Sequence, residues 1–201
     1  MATKKRVILE TATAIFAEKG YTETSIAELA RLTGSAEGTI FYHFNTKAEL
    51  FVAILADVKE GILREFDQYM ESCRVESGIE LMEKVISFLL FLAGRHEEWF
   101  LLLHRHRPYE VARENDICRE HLATLYNTLL DLFEGAILRG QEDGTIAAVP
   151  PKKTALLIFS MINGLIWLKL NDVYDAATLY PELLVSCRKI LAPEAGGKRN
   201  V

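Results

Sequence analysis

The stretch TSIAELARLTGSAEGTIFYHFNTKAEL, residues 24–50, decides the fold. It opens with Ser25-x-x-Glu28, a capping box in which the serine oxygen accepts from the Glu28 amide and the glutamate reaches back. Ile26, Leu29, Ala30 and Leu32 then supply the apolar contacts of a short helix. Gly34 turns the chain. A second short helix follows over about 36–43, and Thr46-x-x-Glu49 repeats the capping box at the head of a third. Two short helices around a glycine turn form a helix-turn-helix, predicted over 25–44, the arrangement that places one helix in a DNA major groove. A helix as short as 36–43 does not persist alone. Ile40 and Phe44 are therefore expected in a core, which leaves Glu37, Gly38, Thr39, Tyr42 and His43 facing outward.

Upstream, Ile8, Ala12, Ile15 and Phe16 share one face of a helix expected over about 4–19. Gly20 ends it, because glycine accepts the left-handed conformation there. Tyr21 is then placed to pack on Phe16. Lys4, Lys5 and Arg6 cluster at the front of this helix, within reach of DNA phosphates or as an ordinary solvated terminus. Lys47 sits in the first turn of its helix, where the dipole disfavours a cation by ~0.3–1 kcal/mol. A phosphate in front of it would explain the choice.

Downstream, helical spacing continues from Ala48 to about Cys73. Further helices are predicted at about 79–94, 96–106, 108–115, 117–141, 152–171 and 177–191. Pro108 suits a helix start, and Gly140, Gly144 and Pro150-Pro151 mark the clearest turn. Alternating strand patterns are nearly absent, so the fold class is all-α: an N-terminal head over residues 1–50 and a larger helical body over 51–195. Residues 196–201 read as a flexible tail.

Composition bounds the function. The 201 residues carry a net charge of −5 and are half hydrophobic. Residues 1–50 hold six basic and six acidic residues, so the acidity lies in the body. Any attraction to DNA must come from local placement of charge. Three widely spaced cysteines fit reduced thiols in a cytoplasm. Residues 154–170 are short for a membrane span and contain Ser160, Asn163, Gly164 and Lys169, so no membrane is expected. His104 and His106 point to opposite sides of a helix, and Cys118 with His121 gives two ligands, not a metal site. No nucleophile motif or phosphate loop suggests an enzyme.

The run Gly-Tyr-x-x-Thr-Ser-Ile-x-x-Leu-Ala (residues 20–30), then Gly38-Thr39-Ile40-Phe41-Tyr42-His43-Phe44, then Lys47-x-x-Leu50, resembles the DNA-binding head of TetR-family transcriptional regulators. The resemblance covers about residues 4–55. It implies an all-helical homodimer that binds double-stranded operator DNA and is released by a small-molecule inducer, here an unknown apolar or amphipathic ligand. By position, Thr39, Tyr42, His43 and Lys47 would face DNA. Ser25 would contact phosphate, and Gly38 would let the backbone approach. Phe41 stands where many relatives have tyrosine, Glu37 where a basic or neutral residue is common, and Ala36 where serine is frequent. These departures bear on which operator is read.

In the body, the resemblance places the dimer interface on two apolar helices, with Leu122, Leu125, Leu129 and Phe133 on one and Ile158, Ile162, Leu165 and Ile166 on the other. Residues 88–109 are rich in aromatics and histidines, and a ligand pocket needs apolar walls with a few polar groups. Trp99, Leu103, His104, Tyr126, Phe159 and Trp167 are the expected lining. The long helix over about 47–73 would carry a ligand-dependent tilt to the reading head. Two rival readings share these features: an activator on the same fold, and a helical ligand- or metal-binding sensor that does not read DNA.

Overall fold

The computed structural model describes residues 3–104 and 107–193, without the side chains of residues 107, 108, 114 and 177. The expected tail at 196–201 lies outside the described residues. Ten α-helices occur among them: α1 (Lys4–Glu18), α2 (Ile26–Thr33), α3 (Glu37–His43), α4 (Lys47–Glu71), α5 (Gly78–Arg95), α6 (Glu97–His104), α7 (Arg107–Glu114), α8 (Asp116–Glu142), α9 (Pro151–Leu170) and α10 (Tyr180–Leu191). A 3-10 turn, Ala176–Leu179, leads into α10, where the sequence predicts one helix from 177. Pro181, in the first turn of α10, has no amide to continue the preceding bonds and resets the helix.

The chain divides into two compact units, and the division differs from a boundary at residue 50. The first unit holds the chain to Arg64 together with Arg95–Tyr126; the second holds Glu65–Gly94 and the chain from Asn127 onward. Helices α4 and α8 therefore each contribute to both units.

In the first unit, the apolar faces of α1 (Ile8, Ala12, Ile15, Phe16) and α4 (Leu50, Phe51, Ile54, Leu55, Val58) are buried, together with Leu29 of α2 and Ile40 of α3. Helix α6 packs along α1, which is why it joins this unit rather than the body. Gly61 makes room for it: a Cβ at that position would lie 2.4 Å from the Trp99 ring. Arg6 of α1 bridges to α4, donating to Asp57 Oδ1 at 2.5 Å while its Nε binds Glu10 Oε1 at 2.7 Å.

In the second unit, α5 and α8 meet at paired glycines. A Cβ on Gly78 would fall 2.0 Å from the backbone nitrogen of Gly140. Asp143 locks the same corner. Its carboxylate accepts from the Gly78 amide at 2.6 Å and from the Thr145 amide at 2.9 Å. These bonds hold its pKa below the ordinary carboxylate value, the Thr145 hydroxyl and amide contributing most.

Helix α9, with 20 residues, is long and apolar enough to cross a membrane by length and composition, a test that the core helix of a soluble protein also passes. Thr154, Ala155, Ile158, Phe159, Ile162 and Ile166 face the protein's own core.

The Gly78–Gly140 contact is between backbones and has no flexible side chain to absorb an added methyl. Gly78→Ala is expected to destabilise the protein by ~1–3 kcal/mol through overpacking, read as a lowered thermal midpoint by circular dichroism. An unchanged midpoint would show that the corner tolerates separation.

Candidate functional site

The head is built from helix ends. Gly20 takes φ 106° after α1, and the Tyr21 ring packs on Phe16 at 5.4 Å between centroids. Ser25 caps α2, accepting from the Glu28 amide at 3.0 Å. The reciprocal half of the box is replaced, because the Glu28 carboxylate pairs with Lys19. At the far end, Gly34 adopts φ 61°, and the Ser35 amide bonds to the Ala30 carbonyl at 3.0 Å. This is the six-to-one bond of a Schellman ending, and it sets the angle between α2 and α3.

Helix α3 follows Ala36 as its N-cap, with no side-chain cap. Ile40 and Phe44 are buried, as the spacing requires. Glu37, Gly38, Phe41 and Tyr42 are exposed, while Thr39 and His43 are half-buried. Tyr42 is the most open, at 84% exposure. Its ring meets His43 edge-on at 5.2 Å. The sequence reading treats Phe41 only as a missing hydroxyl. Its ring is nevertheless 43% exposed on α3, an apolar surface that contact with a thymine methyl would suit. Its position next to Tyr42 was the available signal.

The second capping box is shifted by one residue. Thr46 caps the Glu49 amide at 3.0 Å, and the Glu49 carboxylate accepts from the backbone and side-chain nitrogens of Asn45 at 3.1 and 2.9 Å. Lys47 lies 4.3 Å from the centre of the Tyr21 ring and 5.8 Å from that of Phe16. A cation–π contact contributes ~0.5–1 kcal/mol at an exposed site, which matches the dipole cost of a lysine in the first turn. The aromatic contact offsets a cost that the sequence alone would assign to a missing phosphate.

The basic cluster at the front of α1 also divides. Lys4 and Lys5 are exposed, and the Lys5 ammonium lies 5.6 Å from the Phe44 ring centre. Arg6 instead spends its guanidinium on Glu10 and Asp57, so it serves to hold α1 to α4. Ser25 stays exposed while it caps.

The residues expected at a dimer interface are mostly turned inward. Leu122, Leu125, Leu129, Phe133, Ile158, Ile162 and Ile166 are all buried within one chain, and Leu165 is half-buried. Periodicity shows that α8 has an apolar stripe, and that stripe faces the protein's own core. On α9 the other side is open. Leu156, Leu157 and Trp167 are exposed, as are Val185 and Ile190 of α10. Between α9 and α10 runs a groove of about 550 Å³ whose floor includes Met161, Gly164, Leu165 and Leu168.

The six residues expected to line one pocket fall in both units, Trp99, Leu103, His104 and Tyr126 in the first and Phe159 and Trp167 in the second. In the first unit, Trp99 is buried against Gly61 and stacks on His96, rings 3.9 Å apart. Leu103 is buried. His104 donates from Nδ1 to the Phe100 carbonyl at 2.8 Å, one turn back in the same helix. Tyr126 borders a separate concavity of about 490 Å³ with Tyr109 and Arg113. Tyr109 donates to the Leu103 carbonyl at 2.8 Å, so the 2.5 Å bond between the two phenols carries the proton of Tyr126. Burial pushes the Tyr126 phenol well above its ordinary pKa. In the second unit, Phe159 packs on Phe133 at 5.9 Å, and Trp167 lies on the α9–α10 groove. Among the described residues no three His, Cys, Asp or Glu side chains gather as a metal site. Cys118 is buried, and burial pushes its thiol up to about 11.

Comparison with known proteins bears on this arrangement. Residues 8–54 match the sequence profile of the family described as bacterial regulatory proteins, tetR family. The transcriptional regulator TtgR of Pseudomonas putida is 29% identical over 183 residues, covering 84% of this chain and 81% of that protein. The fold matches that of a transcriptional regulator from Saccharomonospora viridis in complex with choline, with a TM-score of 0.83 at 18% identity over 94% of this chain and 97% of the other. It also matches FadR from Bacillus subtilis in complex with stearoyl-CoA, at 0.74 and 19% identity over 92% and 98%. The profile falls on the capped helices that present Tyr42, and the likeness to TtgR continues through the body. Residues 8–54 thus carry the head of the tetR family of bacterial regulatory proteins, and the chain as a whole is similar to regulators of that kind.

Proposed function

We propose that this regulator is a homodimeric repressor that leaves its operator when a small molecule binds its body. The observation that carries the reading is α3: a seven-residue helix held by Ile40 and Phe44, with Glu37, Gly38, Thr39, Tyr42 and His43 turned outward. Residues 1–50 act as the DNA-reading head. Thr39, Tyr42, His43 and Gly38 meet base edges or the adjacent backbone. Ser25, Lys4, Lys5 and Lys47 serve the phosphates, and Arg6 braces the head.

Two such heads must meet successive major grooves ~34 Å apart, so the dimer sets the spacing. We place its interface on the open side of α9 and on α10. Leu157, Met161, Gly164 and Leu168 follow one another at helical spacing, and Gly164 permits close approach. The exposed apolar surface of Leu157, Val185 and Ile190 is what such an interface would cover. The protein works in the cytoplasm and joins the nucleoid when DNA-bound.

Complexes of two fold neighbours with choline and with stearoyl-CoA support a small-molecule signal here. Release requires the ligand to bind two dimer shapes with different affinity. A coupling of ~1–3 kcal/mol gives roughly 5- to 150-fold weaker DNA binding.

Titration of the protein's own upstream DNA against random DNA, across a salt series, tests the reading. Wild type should prefer the upstream sequence; equal affinity for both would sink it. Thr39→Ala should change the ranking of operator variants more than total affinity, whereas a uniform loss makes it a positioning residue. Lys47→Ala should weaken all sequences alike and flatten the salt slope by about one. An unchanged slope would leave Lys47 to Tyr21 alone. For the interface, Leu157→Asp would set like charges against each other across the dyad, a cost of several kcal/mol. Sedimentation should then show monomer where wild type is dimeric; a persisting dimer would move the interface elsewhere.

A further inference from the structure

The second unit contains a smaller cavity beside the α9–α10 groove, bounded by α5, α9, the 3-10 turn and α10. It measures about 350 Å³, the low end of the range for small-molecule sites. Five of its lining residues are apolar: Leu90, Phe91, Leu165, Ile166 and Ala176. The other two are Lys169 and Tyr180.

The polar pair can be assigned. Ser87 donates its single hydroxyl proton to the Glu83 carbonyl at 2.6 Å, so the 2.7 Å contact between Ser87 and Tyr180 uses the tyrosine's proton. Tyr180 therefore has no proton left to offer an anion. Among the described residues no carboxylate pairs with Lys169. Its ammonium stands over Gly94, 3.9 Å from where a Cβ would be, close to the carbonyl end of α5. That end favours a cation, and the ammonium lies at the rim of the cavity.

An apolar cavity with one cation and no carboxylate selects against cationic and dianionic ligands. A hydrocarbon fills the walls, and a single negative charge meets Lys169. Four of the five apolar walls are aliphatic, which suits a flexible chain. We propose that this cavity binds a medium-chain alkyl carboxylate, tail among Leu90, Phe91, Leu165 and Ile166, head on Lys169. The site rests on the ligand-responsive reading only for its effect on DNA, because binding to the free protein is a separate measurement.

Calorimetry of the free protein with octanoate, decanoate, decanol and decyltrimethylammonium tests it. Decanoate should bind best, at least tenfold tighter than the ammonium compound. Lengthening octanoate to decanoate should tighten binding roughly tenfold, as burial of two methylenes requires. Lys169→Met should lose at least tenfold for decanoate while leaving decanol unchanged, and Lys169→Arg should retain decanoate. Ala176→Phe, which fills the cavity, should abolish binding of both, with circular dichroism checking that the variant folds. The proposal is overturned if wild type binds decanoate and decyltrimethylammonium equally or binds no decanoate, or if decanoate affinity survives either Lys169→Met or Ala176→Phe. Operator titration without added acid tests the regulator reading independently, so the two failures are distinguishable.

Discussion

A helix of seven residues has too few internal hydrogen bonds to exist without help, and α3 is such a helix. Its existence depends on two side chains, Ile40 at 0% exposure and Phe44 at 4%. Both are buried where α3 packs against α2 and α1. Every outward residue of α3 takes its direction from that anchoring. The left-handed Gly34 then fixes the angle at which α3 leaves α2. The reading surface is therefore a property of the first unit's packing, not of the α3 sequence alone.

Charge in the head is organised by the same packing. The head is neutral, yet several of its acids are engaged internally: Glu10 with Arg6, Glu28 with Lys19 and Glu49 with Asn45. Lys5 and Lys47 rest over aromatic rings, which orders them without removing their charge. Under the proposed reading, attraction to DNA comes from placed cations rather than from net charge.

The helices were legible because their signals are local. Glycine ends, serine and threonine caps and the apolar period placed α1 to α10 within a few residues. The partners were not legible. The capping glutamate Glu28 took Lys19, a residue of another helix, which no spacing announces. Lys47 took Tyr21 for the same reason. Periodicity shows that α8 and α9 have apolar stripes but not what each stripe meets, and Leu125, Phe133 and Ile162, which the resemblance assigns to an interface, face inward. Helix α9 is apolar nearly all round, which hides the direction of its free face. The aromatic residues of 88–109 looked like one pocket because they are near in sequence. Trp99 and Tyr126 border different concavities instead, and Gly61 shows why: only a residue without a side chain admits Trp99 there.

The most direct measurement of the central claim, that paired α3 helices read an operator, is hydroxyl-radical footprinting on the upstream DNA. The account predicts two protected segments related by a dyad, their centres a whole number of helical turns apart, with protection lost in Leu157→Asp at the same protein concentration. Protection without dyad symmetry, or protection that the monomeric variant retains in full, would contradict it.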